Sequence, residues 1–194
     1  MIDLRSDTLT LPSVEMKEKM LSVKLGDDVF GEDPTVNLLE QNTASMFGME
    51  SAIFCPSGTM TNQIAINIHT QPGDEVICSR ESHIYNYEGG GIAKNSSASV
   101  RLIERNNGLL KHEDVLNNIN QDDVHCPRTA LVALENTSNR GGGVCYSIDE
   151  LLKIKKVCVQ SEIPLHLDGA RIFNAIVEKK QSPKFHGKIF DSIS

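Results

Sequence analysis

Along the 194-residue chain, short apolar runs alternate with longer amphipathic stretches. Val36, Leu39, Thr43 and Phe47 recur at helical spacing behind Asp33-Pro34, a side-chain cap followed by a proline suited to the first turn, and Gly48 closes the stretch. The run Ala52-Ile53-Phe54-Cys55 predicts a strand, and Ile64, Ala65 and Ile68 mark a helix after it. Further strands are predicted at Glu75 to Cys78, Val100 to Ile103, Ala130 to Leu134 and Pro164 to Leu167. Val115, Leu116 and Ile119 place a helix before the third of these. Ser147 with Glu150 forms a capping box that opens another through Leu151, Ile154 and Cys158. The closing stretch around Ile189, Phe190 and Ile193 reads as one more strand. Strands and helices alternating in this way predict right-handed crossovers. The expected fold is therefore α/β, a mostly parallel sheet with helices on both faces. No internal repeat, low-complexity tract or linker interrupts the pattern.

Composition narrows the class. Hydrophobic residues at 39% and charged ones at 23% suit one globular domain with a substantial core. The net charge of -7 disfavours a nucleic-acid or anionic-membrane surface. It leaves room for a phosphorylated cofactor held by backbone amides. No apolar run reaches the length of a membrane span, and Met1-Ile2-Asp3-Leu4-Arg5 lacks the pattern of a signal peptide. Cys55, Cys78, Cys126, Cys145 and Cys158 contain no Cys-x-x-Cys pair. Free thiols, a cytoplasmic location and no metal site are the expectation.

Candidate chemistry gathers at strand ends, where open α/β sheets place their ligands. Leu165-His166-Leu167-Asp168-Gly169-Ala170-Arg171 ends an apolar run in a carboxylate. A buried charge there needs a cationic partner, and a protonated pyridine nitrogen would serve. A metal, a ribose or a helix cap would serve equally. Ser57-Gly58-Thr59, between a strand and a helix, reads as a phosphate cup or as an ordinary turn. His83 follows a strand, near Tyr85 and Tyr87, and is either a stacking and proton-transferring ring or a solvent-exposed loop residue. Leu134-Glu135-Asn136-Thr137 ends another strand in polar groups. Gly89 to Gly91 and Gly141 to Gly143 read as turns, and His125, ahead of a strand, falls at the opposite rim. Together these strand ends favour an enzyme with a phosphate-bearing cofactor.

Five stretches carry a family resemblance. Leu4-Arg5-Ser6-Asp7-Thr8, Gly26 through Val36, Pro56-Ser57-Gly58-Thr59, Leu134-Glu135-Asn136-Thr137 and His166 through Ala175 resemble the threonine aldolases from end to end of the chain. The resemblance implies the large domain of the fold type I (aspartate aminotransferase) architecture and pyridoxal 5'-phosphate as cofactor. It implies retro-aldol cleavage of β-hydroxy amino acids, threonine giving glycine and acetaldehyde. A β-eliminating lyase of the same fold is the alternative.

Carried over by position, Gly58 and Thr59 would bind the phosphate, His83 would stack on the ring, and Asp168 would pair with its nitrogen. Arg171 would reach the cofactor's phenolic oxygen or the substrate carboxylate, and Ser6 would help hold that carboxylate. His125 matches a histidine near the substrate, against its position in the strand pattern. Residues 1–30 would form an amino-terminal segment and interface arm, and residues 31–194 an incomplete cofactor-binding domain. A homotetramer with shared sites is implied, the segment around Phe30 reaching a partner's site. That position is often tyrosine in the family, and Ser138 stands where histidine is common. The resemblance puts the Schiff-base lysine just past Asp191-Ser192, beyond Ser194, and a small carboxyl-terminal domain after it. Lys179, Lys180, Lys184 and Lys188 do not align with that lysine. The 194-residue chain alone is thus expected to be inactive.

Overall fold

A computed structural model describes residues 2–194; Met1, where the expected arm begins, lies outside the described residues. Five parallel strands form one sheet: β1 (Glu75–Ser79), β2 (Ser99–Ile103), β3 (Thr129–Glu135), β4 (Leu165–Asp168) and β5 (Ser192–Ile193). Their spatial order is β2-β1-β3-β4-β5. The winding direction reverses at β1, which opens a crevice beyond the carboxyl ends of β1 and β3.

Alternation along the strands splits the core into two layers. Val76, Cys78, Leu131 and Ala133 pack with Ile66, Ile84 and Ile92 on one face. Ile77, Val132, Leu134, Leu165 and Leu167 pack with Val115, Leu151, Ile154 and Cys158 on the other. The first face is covered by α3 (Gly58–His69) and α5 (Gly91–Ser96), the second by α6 (His112–Asn118), α7 (Ile148–Gln160) and α8 (Ile172–Lys179). In β4 the same alternation turns Leu165 and Leu167 to the second layer, and so sends His166 and Asp168 towards α3.

Local signals are realised closely at the helix ends. Asp33 accepts from the amides of Thr35 and Val36, and Gly48 closes α2 (Pro34–Phe47) in the left-handed conformation. Ser147 accepts from Glu150 N, but the Glu150 carboxylate turns to His112 N and Nδ1 at 2.7 and 2.8 Å. Half of the capping box is thus spent on joining α7 to α6.

Several expectations need correction. The closing stretch is a strand only at Ser192–Ile193, because Ile189 ends a helix over Pro183–Ile189 and Phe190 caps it. Residues 52–55 join no sheet: Ile53 and Phe54 are exposed, and Phe54 N donates to Glu40 Oε1 at 2.7 Å. An apolar run becomes a strand only beside a ladder partner, and here a side chain takes the amide instead. The buried face of α3 is Asn62, Gln63, Ala65 and Ile66, with Ile68 exposed. Polar side chains win that face because α3 lies over the polar end of β4. Leu116 is likewise exposed, and α6 turns only Val115 fully inward.

Residues 2–32 differ from the rest. They contain two 3-10 turns (Asp7–Leu9 and Asp28–Phe30) and α1 (Val14–Ser22), none of which has a buried residue. No helix among the described residues is long and apolar enough to cross a membrane. The five cysteines are free, Cys78 and Cys158 buried and Cys126 exposed.

Candidate active site

The crevice at the switch point is a cleft of about 1100 Å³. Its floor and rim hold Gly58, Thr59, Asn62, His83, Glu135 and Asp168, and the segment Arg5 to Thr8 with Arg171 forms its outer wall. Gly58, Thr59, His83, Asp168, Arg171 and Ser6 all line this one cavity.

At the start of α3, Ser57 Oγ takes the Met60 amide and the Ser57 carbonyl takes that of Thr61. Helix geometry leaves the first amides, those of Gly58 and Thr59, to whatever stands in the cleft. A Cβ placed on Gly58 would meet nothing within 4 Å, so the backbone there borders open space.

His83 opens the short helix α4 (His83–Asn86), and its backbone amide donates to Glu135 Oε2 at 2.8 Å. The other Glu135 oxygen accepts from Asn139 N at 2.9 Å. Glu135 thus ties the loop after β1 to the end of β3, and burial raises its pKa. Tyr87 lies beside the His83 ring, centroids 5.6 Å apart, and Arg140 stands 5.0 Å over the Tyr87 ring.

Asp168 ends β4 and is buried. Its Oδ1 accepts from Ala170 N at 3.2 Å and its Oδ2 from Asn62 Nδ2 at 3.0 Å. Burial nevertheless pushes its pKa up, the neighbouring Glu88 adding in the same direction. Behind it lies a chain of neutral groups. His166 meets Asn62 Oδ1 through Nε2 at 3.1 Å and Ser192 Oγ through Nδ1 at 2.9 Å, and Ser192 meets His69 at 3.1 Å. Burial lowers the His166 pKa to about 3, so its ring is neutral.

Arg171 does not point a free guanidinium at the cleft. Nε and Nη2 bind Asp7 Oδ2 and Oδ1 at 2.6 and 2.8 Å, which lowers the Asp7 pKa. Ser6 caps the turn that carries Asp7, accepting from Thr8 N at 3.2 Å. His125 is the exception among the expected residues. It sits in the loop before β3, almost fully exposed, with Nδ1 2.8 Å from Asp123 Oδ1, and does not line the cleft of its own chain. The strands are parallel, so a residue just ahead of β3 falls on the amino rim. Ser138 is buried beside Gly108 and Gly141, outside the cleft lining.

Asn62, Glu88, Asp7 and Arg140 escaped the sequence reading. Asn62 carried a usable signal: a polar residue four positions past Gly58, on the face of α3 that must be buried. Glu88 carried none, because a carboxylate before a glycine turn looks solvated. No lysine lines the cleft among the described residues.

The family model described as "Beta-eliminating lyase" matches residues 3–194. The low specificity L-threonine aldolase of Saccharomyces cerevisiae is 43% identical over 196 residues, covering 99% of this chain and 50% of that protein. The Escherichia coli K12 protein of the same name is 43% identical over 178 residues, 91% of this chain and 53% of its own length. Among solved structures, a putative L-allo-threonine aldolase from Listeria monocytogenes superposes with a TM-score of 0.78 at 27% identity. That superposition spans 91% of this chain and 48% of the other. The Leishmania major threonine aldolase superposes at 0.79 and 23% identity, over 91% and 52% of the two chains, and so shares the fold. The chain spans about half the length of the curated relatives it matches.

Proposed function

The chain belongs to the beta-eliminating lyase family, and from that premise we propose that its cleft holds pyridoxal phosphate for the retro-aldol cleavage of β-hydroxy amino acids. Threonine, giving glycine and acetaldehyde, is the substrate of this reading, in keeping with the names of the relatives. The observation that carries it is the buried Asp168 carboxylate, sharing one cavity with the open amides of Gly58 and Thr59 and with the His83 ring.

The donor set fits the cofactor. A phosphate needs amides and a hydroxyl, which the start of α3 supplies. A pyridinium N–H needs a buried anion, and burial makes Asp168 costly as a carboxylate until such a partner arrives. When bound, pyridoxal phosphate supplies the electron sink for the breaking Cα–Cβ bond. Asp168 holds a proton on the ring nitrogen, and Asn62 fixes the carboxylate in place. His83 would stack on the bound ring and accept the β-hydroxyl proton, directly or through a water. Arg171 takes the substrate carboxylate or the phenolic oxygen, with Ser6 beside it, by exchanging its bond to Asp7. No lysine among the described residues lines the cleft to serve as the cofactor lysine. Residues 1–30 act as an arm between subunits of a cytoplasmic homotetramer, and residues 31–194 as part of the cofactor-binding domain. His125 then has a role only in a site formed with a neighbouring subunit.

Two measurements test the reading. Pyridoxal phosphate titrated into the chain should bind saturably, at least about tenfold more weakly in Gly58→Asp, which puts a carboxylate in the phosphate position. Unaltered binding in that variant removes the cup from the site. In a protein that joins this sequence to a cofactor lysine, threonine should yield acetaldehyde and glycine in equal amounts. Ammonia and a keto acid from substrates with a β leaving group would replace aldol cleavage by β-elimination.

A further inference from the structure

Glu88 is buried beneath the cleft, its side chain without solvent contact. It follows α4, and Gly89 and Gly90 then take positive φ angles of 63° and 69° that turn the chain back into α5. The polar atoms of His83, Glu88 and Asp168 lie within 4.8 Å of one another. Two carboxylates so close and so dry need donors, and the chain supplies them.

Asn62 Nδ2 donates to Glu88 Oε1 at 2.8 Å as well as to Asp168. Gln63 Nε2 donates to Glu88 Oε2 at 2.6 Å. Both amide orientations are dictated by their surroundings. Asn62 Oδ1 accepts from Ser194 Oγ at 2.6 Å and meets His166 Nε2, so a flipped Asn62 would set its oxygen against two carboxylates. Gln63 Oε1 accepts from Asn95 at 3.3 Å. Gly91 makes room for this clamp, because a Cβ there would overlap the Gln63 amide. The remaining partner of Glu88 is His83, whose Nδ1 lies 2.9 Å from Oε1.

We propose that Glu88 is a positioning residue: clamped by Asn62 and Gln63, its carboxylate holds His83 as the Nδ1–H tautomer and leaves Nε2 as the proton acceptor offered to the cleft. The inference rests on the reading of His83 as the group that takes a substrate proton, and it deepens that reading. An anion with two fixed amide donors accepts best from a third donor, and only Nδ1–H provides one. Asn62 also links the two ends of the site, since one amide restrains both Asp168 and, through Glu88, His83.

The test is a histidine ¹⁵N long-range correlation spectrum of the 194-residue chain, at a pH where His83 is neutral and without cofactor. His83 among the six histidines is assigned by its loss in His83→Gln. The expected spectrum shows Nδ1 protonated and Nε2 bare. Glu88→Leu should move the tautomer ratio at least about tenfold towards Nε2–H, the form that an unrestrained imidazole prefers. That variant strands two donors and can fail to fold, so the unmodified chain decides alone: a majority of Nε2–H there overturns the assignment. Bare Nε2 in a chain that fails to bind pyridoxal phosphate leaves the assignment standing and sinks the proposed function.

Discussion

On the sheet side of the cleft, Asp168, Glu88, Asn62 and His166 are answered by hydrogen bonds from within the chain. The amino-terminal segment that forms the opposite wall buries nothing, and Leu11, Val14, Met20, Leu21, Leu25 and Phe30 are all more than half exposed. Both walls line the same cavity. The first is fixed by the core beneath it. The second is tied to the rest by polar contacts: the pairing of Arg171 with the exposed Asp7, of small net worth, and hydrogen bonds from Gly26 to Asp33, Thr35 to Lys24 and Asn37 to Gly31. The contrast is what the proposed division of labour requires, in which the sheet would supply chemistry and the arm assembly.

The most damaging way to probe the sheet wall is Asp168→Ala in a protein that carries the cofactor lysine. A close opposite charge favours the ionised form of its partner by about 1–3 pK units. Activity should therefore fall about 10–1000-fold, while cofactor affinity falls less than about tenfold. Activity on threonine and spectral titration of the cofactor measure the two losses. Equal falls would reduce Asp168 to an anchor.

His166 tests whether that wall is satisfied without charge. Its folded pKa lies near 3, against 6.5 for a free imidazole. As pH falls through 6.5 the unfolded chain takes up a proton that the folded chain refuses. The contribution is thus complete above pH 6.5 and is lost on the way down towards about pH 3, at roughly 1.4 kcal/mol per pH unit. Burial lowers His69 and His186 in the same direction. In His166→Gln, urea unfolding between neutral and mildly acid pH should show a slope shallower by about one proton. Parallel slopes would mean that the folded ring accepts the proton.

The legibility of the two walls in the sequence follows from the same contrast. β1, β3 and β4 are buried along their whole length, so their apolar runs announced them, and the polar residues at their ends marked the rim. Ala52 to Cys55 has the same look without a strand to pair with, and pattern alone cannot tell the two apart. His83 was found because it follows β1 and Asp168 because it ends β4, whereas Gly58 was found behind an expected strand that does not form, at a helix start that does. Glu88 and Asn62 were missed because their importance comes from meeting across 26 residues of chain. At His125 two signals disagreed: its place ahead of β3 pointed to the far rim, where the structure puts it outside the cleft of its own chain, while motif likeness pointed to the substrate.

The arm can be broken without touching the sheet. Leu21→Glu with Phe30→Glu puts charges on two side chains that are 90% and 76% exposed. In the proposed tetramer these side chains meet a neighbour, so light scattering should report smaller species. The thermal melt should then shift little beyond the loss due to dissociation. An unchanged mass would dismiss the arm as an interface. A collapsed melt in an already monomeric protein would show that the arm belongs to the core after all.

The smallest expected effect makes the sharpest comparison, because the chemistry is identical on both sides. Ser147 and Ser13 each cap a helix by accepting the amide three residues on, at 3.2 and 3.3 Å. Removing such a cap costs about 1 kcal/mol of helix stability. In α7, which buries Leu151, Ile154, Val157 and Cys158, the helix unfolds only with the sheet. Ser147→Ala should therefore lower global stability by about that amount in urea. In α1, which buries nothing, the helix can fray alone. Ser13→Ala should leave the global transition where it was and raise amide exchange only within α1. Equal losses from the two substitutions would show that the arm folds as one cooperative unit with the sheet.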